Sequence, residues 1–174
     1  MSASQRRVAL GLGANLGDRV AALQGAVDVI APHLGAAAVS SVYETAPVGG
    51  PEQPDYANAV LVGDWEGEPL ALLALAHEAE ERWQRTREVR WGPRTLDVDV
   101  LAVGDLVSDD EVLTLPHPRA HERAFVLVPW AEADPDAVLP DGTRVAALAA
   151  GLAAAVDAGD GVRRRDDVRL EVPA

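Results

Sequence analysis

The sequence predicts an α+β domain built on one antiparallel sheet, and the order of its apolar segments is the main reason. Segments of strand and helix periodicity, separated by Gly- and Pro-rich turns, follow each other as strand, helix, strand, strand, helix, strand. A length of 174 residues suits a single domain with a sizeable core. This order is the ferredoxin-like βαββαβ arrangement, in which helices pack on one face of the sheet.

The first strand and helix follow from an apolar run and a capping residue. Val8–Leu12 is a short apolar run that ends among glycines, which predicts a buried strand followed by a turn over 13–17. Asp18 suits the start of a helix because its carboxylate accepts hydrogen bonds from free backbone N–H groups. Apolar residues then recur at helical spacing until Pro32 ends the helix.

The middle of the chain predicts two strands, a long loop and a second helix. Residues 37–44 alternate and 56–62 are largely apolar, so both predict strands. Residues 45–54 contain three prolines, which predicts a long loop that often carries function. Pro69 suits the first turn of a helix that continues to Arg82.

The remaining segments complete the domain and leave a tail. They predict a strand over 95–103, a hairpin turn at 104–105 leading into 106–107, a short helix over 125–132, a turn at 141–142 and an alanine-rich helix over 145–156. The domain is expected to cover residues 1–158. Residues 159–174 are charged and are expected to form a mobile tail.

The amino-acid composition excludes several kinds of catalytic site and several classes of partner. The chain has no Cys, and all 15 basic residues are Arg, which excludes thiolate metal sites, cysteine nucleophiles and a phosphate-binding lysine. A net charge of -13 argues against nucleic acid and anionic membrane surfaces as partners. The chain shows no signal peptide or membrane-length apolar run, so a cytoplasmic protein is expected. A monomer is expected because no large apolar stripe is left over.

Two aspartates carry the sharpest chemical signal. Asp97 and Asp99 are two residues apart on a predicted strand, so they share one face, roughly 7 Å apart at about 3.3 Å per residue. Leu96, Val98 and Val100 then face the core. Two neighbouring carboxylates repel each other, and Mg²⁺ ions would neutralise them while holding a polyphosphate. The alternative is the solvated polar face of an edge strand.

Arginines cluster just before this pair. Five of the 15 arginines lie between residues 82 and 94: Arg82, Arg85, Arg87, Arg90 and Arg94. Cations complement the dipole at a helix end, and this explains the first one or two of them. An Arg-rich loop beside an Asp pair also indicates phosphate binding, with Mg²⁺ on one side and guanidinium groups on the other.

A third cluster follows the last sheet strand. His117, Arg119 and Arg123 lie in one loop and can bind phosphate oxygens, although a polar surface loop is an equal alternative. Pro118 argues against a helix that would bring His117 and His121 together as zinc ligands.

Two weaker signals remain. Gly11, Gly13 and Gly17 lack the spacing of a dinucleotide fingerprint and indicate a tight turn near a ligand at most. Tyr56 and Asn58 share a strand face and can stack on and hydrogen-bond a flat heterocycle, although a packing role is the commoner use of a strand tyrosine.

These motifs together resemble one enzyme family. The segments that carry the resemblance are Leu10–Asn15, Val39–Val48, Gln53–Asn58, Arg90–Leu101, Thr114–His117 and Arg123–Phe125. They occur in the order found in 6-hydroxymethyl-7,8-dihydropterin pyrophosphokinase of folate biosynthesis, over about residues 8–142. The resemblance implies transfer of pyrophosphate from ATP to the hydroxymethyl group of the pterin, with release of AMP and the use of two Mg²⁺ ions.

The resemblance also implies a role for individual residues. Asp97 and Asp99 match the Mg²⁺ ligands, and together with Arg85 and Arg94 they form the expected catalytic set. The expected ATP site comprises His77, Arg85, Arg87, Arg94, Val100, Thr114, His117 and Arg123. The expected pterin site comprises Thr45, Ala46, Val48, Tyr56, Asn58, Trp91 and Phe125, with Trp91 on a closing loop.

Some positions depart from the family pattern, and two other functions stay open. Ala14, Ala46, His77 and Gln84 stand where the family commonly has Ser, Pro, Gln and Gly. A metal-dependent phosphohydrolase would use the same aspartates, and a ferredoxin-like ligand-binding module would share the fold without chemistry. The dependence of AMP formation on the pterin distinguishes the three.

Overall fold

The computed structural model describes residues 5–15, 18–45, 55–87, 96–155 and 162–173, with the backbone alone for 85–87 and 153–155. The strands are β1 (Arg6–Ala14), β2 (Gly35–Val39), β3 (Val42–Thr45), β4 (Tyr56–Trp65), β5 (Asp97–Val103), β6 (Ser108–Asp109), β7 (Thr114–Leu115) and β8 (Arg163–Arg165). The helices are α1 (Arg19–Ile30), α2 (Pro69–Arg87), α3 (Ala124–Ala133) and α4 (Val145–Ala155).

The main sheet is antiparallel and confirms the predicted βαββαβ order. Its strands lie in the order β5, β1, β4, β3, β8, and β2 also pairs with β4. The segment predicted as one strand over 37–44 forms two strands, because the strand is interrupted at Ser40 and Ser41. The Ser40 hydroxyl accepts a hydrogen bond from the Val60 N–H at 2.9 Å and so maintains contact with β4 across the break.

Helices cover both faces of the sheet, which corrects the expectation of one. Helices α1 and α2 pack on one face, around Leu10, Leu61 and Val98, while α3 and α4 pack on the other, around Val60 and Leu101. The physical reason lies in the strands, because β4 is buried on both sides from Ala57 to Gly63. An apolar run of this kind needs a layer on each face.

The turn predicted over 13–17 and the strand predicted over 106–107 are corrected, while the turn at 104–105 is confirmed. Gly13 and Ala14 belong to β1 rather than to a turn. Leu106 and Val107 form no strand, because the chain leaves the sheet at Gly104, which has φ +55 and donates its N–H to the Arg7 carbonyl at 2.7 Å. The hairpin lies further on, where β6 pairs with β7.

The segment expected to be a mobile tail packs on the domain over residues 162–173. Strand β8 pairs with β3, and Leu170 is only 4 % exposed. The Gln24 side chain on α1 donates to the Glu171 carbonyl and accepts from the Glu171 N–H, at 2.8 and 2.9 Å. The high charge of this segment made it look unstructured in the sequence, although it contains strand β8 and the buried residue Leu170.

Residue Asp18 confirms its predicted role at the start of α1, where its carboxylate accepts a hydrogen bond from the Ala21 N–H at 3.0 Å. No helix in the described part of the chain is both long and apolar enough to cross a membrane.

We expect Leu170→Ala to lower the free energy of unfolding by about 2 kcal/mol, because it removes buried apolar contacts. Urea unfolding measures the change, and the exposed neighbour Arg169→Ala is the matched control. Equal unfolding midpoints for both variants would contradict the packing of this segment on the domain.

Candidate active site

A cleft of about 570 Å³ lies between the sheet and the start of α3. Its lining brings together acidic, basic and aromatic side chains: Asp97, Asp99, Arg119, Arg123, Tyr56 and Phe125. Strands β1, β4 and β5 form the floor. The cleft therefore combines anionic, cationic and aromatic surfaces in one cavity.

The floor owes its room to two glycines on β1. Gly13 is paired with Asp97 on one side and Asn58 on the other, while Gly11 is paired with Asp99 and Val60. A Cβ atom at Gly13 would lie 3.4 Å from the Asn58 Oδ1, and one at Gly11 would lie 3.4 Å from the Leu101 side chain. Glycine thus leaves open space directly beside both carboxylates.

The two aspartates share one face of β5, as predicted. Asp97 and Asp99 are exposed on the cleft face, while Val98 and Val100 are buried on the opposite face. Burial raises the pKa of Asp97, and the neighbouring Asp99 charge raises it further. A raised pKa means that the fold disfavours the ionised form of Asp97, as expected for two like charges held side by side.

Glu80 on α2 holds the strand that carries this pair. Its carboxylate accepts a hydrogen bond from the Val98 N–H at 2.9 Å, and this N–H belongs to an edge strand. Burial raises the pKa of Glu80 although that hydrogen bond lowers it, and the charges of Asp97 and Asp99 add to the rise. The residue spacing did not identify Glu80, because in the sequence it resembles the neighbouring exposed glutamates of a helix.

The basic side of the cleft is aligned by an irregularity in β5. The pairing of β5 with β1 shifts register between Ala9 and Leu10, which leaves Leu101 without a partner. The Leu101 carbonyl accepts a hydrogen bond from the His117 N–H at 2.8 Å. The bulge therefore attaches the loop of the third sequence cluster to the sheet.

Two arginines and a histidine extend from that loop. The Arg119 N–H donates to Nδ1 of His117 at 3.2 Å, and the Arg123 guanidinium lies 5.6 Å from the centre of the Phe125 ring. Burial lowers the pKa of His117; Asp99 opposes this change, while Arg123 and Arg119 add to it. A neutral imidazole beside two guanidinium groups suits hydrogen bonding to an anion.

The third part of the cleft is suited to a flat molecule. Thr45 is paired with Tyr56 across β3 and β4, and the Asn58 side-chain amide donates to the Thr45 hydroxyl at 3.1 Å. Phe125 on α3 lies across the cleft from the strands, and Val162 also lines it. Aromatic rings and a buried amide together can stack on and hydrogen-bond a heterocycle.

Three predicted nucleotide residues lie elsewhere. The Val100 side chain is 4 % exposed and packs in the core on the face away from the cleft. The Thr114 hydroxyl donates to the Asp110 carbonyl at 2.9 Å, outside the cleft lining. His77 is exposed on α2 outside that lining, where its charge acts on Glu80.

Six further predicted side chains belong to no described part of the chain. Ala46, Val48, Trp91 and Arg94 lie outside the described residues, as do the side chains of Arg85 and Arg87 at the end of α2. The remaining predicted residues come together: Thr45, Tyr56, Asn58, Asp97, Asp99, Arg123 and Phe125 line the cleft, with His117 next to it.

Sequence reasoning missed several residues of the cleft. Arg119 belongs to the loop identified above but was not carried into the nucleotide site. Gly11 and Gly13 showed a spacing whose meaning appears only when they pair with the aspartates. Val162 and Glu80 reach the site from distant segments, and no local pattern marks them.

The aspartate pair fits a hard divalent cation. No three His, Asp or Glu side chains converge into a metal-binding group among the residues described. Mg²⁺ is usually held by one or two carboxylates and completes its coordination with water and substrate phosphates. Two carboxylates facing an open cleft, one with a raised pKa, are therefore a suitable donor set for it.

Comparison with known proteins identifies the family of the chain. The sequence model of one family, described as 7,8-dihydro-6-hydroxymethylpterin-pyrophosphokinase, matches residues 9–135. Three curated relatives carry the name 2-amino-4-hydroxy-6-hydroxymethyldihydropteridine pyrophosphokinase. The relative from Mycobacterium tuberculosis is 46 % identical over 143 residues, which cover 76 % of this chain and 75 % of the relative.

The other two relatives match more of both chains. The one from Methylorubrum extorquens is 46 % identical and covers 82 % of this chain and 92 % of its own. The one from Pseudomonas aeruginosa is 40 % identical, with coverages of 83 % and 91 %.

Solved structures show the same fold. Wild-type Plasmodium falciparum HPPK-DHPS with pteroate matches 94 % of this chain with a TM-score of 0.71. This chain spans 46 % of that chain, and 14 % identity supports the fold alone. From the family match over residues 9–135 and from relatives that are 40–46 % identical, we conclude that the chain belongs to the 7,8-dihydro-6-hydroxymethylpterin-pyrophosphokinase family.

Proposed function

We propose that this cleft transfers pyrophosphate from ATP to the hydroxymethyl group of 6-hydroxymethyl-7,8-dihydropterin, releasing AMP in folate biosynthesis. One observation carries the proposal. A carboxylate pair, two arginines and an aromatic surface line a single cavity, and these match the cation, the polyphosphate and the pterin that the reaction requires. The family of the chain agrees with the same activity.

Asp97 and Asp99 would hold two Mg²⁺ ions together with the triphosphate. When bound, Mg²⁺ neutralises phosphate charge and so favours attack on phosphorus. The aspartates supply the protein ligands, and Glu80 holds the Val98 N–H between them, which keeps both carboxylates on the cleft face. Gly11 and Gly13 leave room for the phosphates beside them.

The opposite wall binds the phosphates directly. Arg119, Arg123 and the neutral His117 supply hydrogen-bond donors, and the N-terminus of α3 adds the positive end of a helix dipole. These groups create a local cationic wall in a chain of net charge -13. We assign Arg85, Arg87 and Arg94 to the same triphosphate because the resemblance places them in the nucleotide site.

The aromatic end of the cleft binds the pterin. Asn58 and Thr45 supply polar groups for the edge of the ring, and Tyr56 and Phe125 supply surfaces for its faces. Ala46, Val48 and Trp91 are assigned to this end by the resemblance. The contact of Arg123 with Phe125 joins the pterin end to the phosphate wall.

The chain needs no covalent intermediate for this reaction. The hydroxymethyl oxygen attacks the β-phosphorus of ATP and releases its proton, the bond from that phosphorus to the oxygen shared with the α-phosphate breaks, and AMP leaves. The residues act by holding the oxygen and phosphorus in line and by stabilising the negative charge that develops on the leaving oxygen. The absence of Cys and Lys from the sequence is therefore no obstacle. A monomeric, cytoplasmic enzyme remains the prediction from sequence.

The decisive test of this function is AMP formation from Mg·ATP with and without 6-hydroxymethyl-7,8-dihydropterin. We expect AMP only when the pterin is present, in equal amount to the pterin diphosphate. Phosphate release without the pterin would indicate a phosphohydrolase. Intact ATP in the presence of the pterin would indicate a binding module without chemistry.

We expect Asp99→Asn to lower kcat by roughly a thousandfold, because one cation ligand is lost. The same change should raise the thermal unfolding temperature of the Mg²⁺-free protein at pH 7. Because the pKa of Asp97 is raised in the folded state, the contribution of its carboxyl group to stability is full below the unfolded-state pKa and is lost as pH rises through the raised pKa. At pH 7 the ionised Asp97 therefore lowers stability, and removing the Asp99 charge removes part of this cost.

Asp109→Asn is the control, since it removes the same charge from an exposed residue of the distant hairpin. Near-normal kcat of Asp99→Asn at saturating Mg²⁺ would refute the metal role. A lowered unfolding temperature for that variant would refute the repulsion within the pair.

We expect Glu80→Ala to raise the Mg²⁺ concentration needed for half-maximal rate about tenfold, because supports of metal ligands have effects of this size. Glu80→Gln keeps a hydrogen-bond acceptor for Val98 and should fall between this variant and the parent. Glu78→Ala, which removes an exposed carboxylate paired with Arg82, is the control. Identical Mg²⁺ dependence of Glu80→Ala and Glu78→Ala would exclude the proposed support.

A further inference from the structure

The chain returns to the cleft after its last helix. Strand β8 pairs with β3, so that Arg163 is opposite Glu44 and Arg164 is opposite Tyr43. One further step of this register brings Val162 opposite Thr45. Val162 lines the same end of the cleft as Thr45 and Tyr56. These residues follow the segment that the family model matches, which ends at residue 135.

Side chains alternate between the two faces of the sheet along a strand, so Val162 and Arg163 lie on opposite faces. Val162 is on the cleft face, together with Thr45 and Asn58. Arg163 is on the other face with Glu44, away from the cleft. Val162 is thus available for contact with a ligand, whereas Arg163 is available only to hold the strands in place.

Arg163 belongs to a charged cluster just behind the pterin end, which we call the clasp: Arg19, Glu44, Asp55, Arg163 and Arg165. The Glu44 carboxylate is 3.0 Å from Arg19, 3.1 Å from Arg165 and 3.7 Å from Arg163. Asp55 accepts from Arg163 through its side chain and from Arg19 through its carbonyl, both at 2.5 Å.

The clasp acts on the residues that precede two cleft residues in the chain. Glu44 comes directly before Thr45, and Asp55 comes directly before Tyr56. The Glu44 side chain is only 17 % exposed, so its ion pairs are screened less than surface pairs. Fixing Glu44 and Asp55 therefore fixes the backbone from which Thr45 and Tyr56 project.

We propose that the C-terminal strand completes the pterin end of the cleft, with Val162 as a contact residue for the flat ring and Arg163 as a positioning residue. The proposal rests on the proposed function, since it assigns Val162 to the end that binds the pterin. Val162 adds an apolar side chain to the sheet side of this end, facing Phe125 across the cleft, and so helps to exclude water from the ring. The strand thereby contributes to pterin affinity and leaves the ATP end untouched.

Steady-state kinetics with both substrates varied tests the proposal. We expect Val162→Asp to raise the KM for the pterin at least about tenfold, because a carboxylate in this wall must be desolvated by the ligand. Arg163→Gln should raise it roughly threefold, a modest effect because the Arg163 side chain is 64 % exposed. The KM for ATP should stay within about twofold in both variants.

Matched controls separate contact and positioning from stability. Arg164→Gln removes a neighbouring exposed charge that pairs with Asp166 outside the clasp. Val168→Ala changes an apolar residue of the same segment that packs on the core rather than in the cleft. Arg163→Lys retains the charge and should restore most of the pterin affinity. Calorimetric titration of each variant with 6-hydroxymethylpterin measures binding independently of turnover.

An unchanged pterin KM in Val162→Asp would overturn the contact role. Equal rises in Arg163→Gln and Arg164→Gln, or equal rises in the KM for both substrates, would overturn the positioning role. If Arg163→Gln fails to fold, Val162→Asp tests the contact role and Arg163→Lys tests the positioning role, which a pterin KM equal to that of Arg164→Gln would overturn. Absence of pterin-dependent AMP formation in the parent protein would instead reject the proposed function, and the variants are compared only after that measurement.

Discussion

The site depends on the repulsion between Asp97 and Asp99 and on the pairing that holds them together in spite of it. Pairing with β1 fixes both residues on one face, and the glycines opposite them leave that face open. The buried residues between and beside them prevent the strand from turning over, since a shift by one residue would expose Val98 and Val100. The core thus holds two like charges side by side, an arrangement that a bound cation would stabilise.

The supports of this arrangement come from both layers of helices. Glu80 approaches β5 from the α2 side and binds the Val98 N–H, while the bulge at Leu101 binds the His117 loop on the α3 side. An edge strand is suited to this because one row of its backbone groups is free for side chains. A central strand would have no N–H to offer Glu80. Placing the aspartates on an edge therefore allows their orientation to be adjusted by other elements.

Sequence periodicity was sufficient for much of the fold and for the centre of the site. The spacing of two predicted the shared face of Asp97 and Asp99, and the Asp18 cap and the βαββαβ order followed from local rules. The second helical layer was missed because burial of both faces of β4 depends on distant helices. Glu80 and Val162 were missed for the same reason, since each reaches the cleft through contacts that only the folded chain creates.

The two ends of the cleft are stabilised in different ways, and the difference suits the ligand proposed for each. The proposed phosphate end carries like charges on Asp97 and Asp99, which a bound cation would neutralise. The proposed pterin end has its charges behind the sheet, where Glu44 and Asp55 are already neutralised by arginines. A neutral heterocycle would bring no neutralising charge, so a clasp whose charges neutralise each other would fix Thr45 and Tyr56 before such a ligand binds. On this proposal the pterin surface is preorganised, whereas the phosphate end gains stability when its ligands bind.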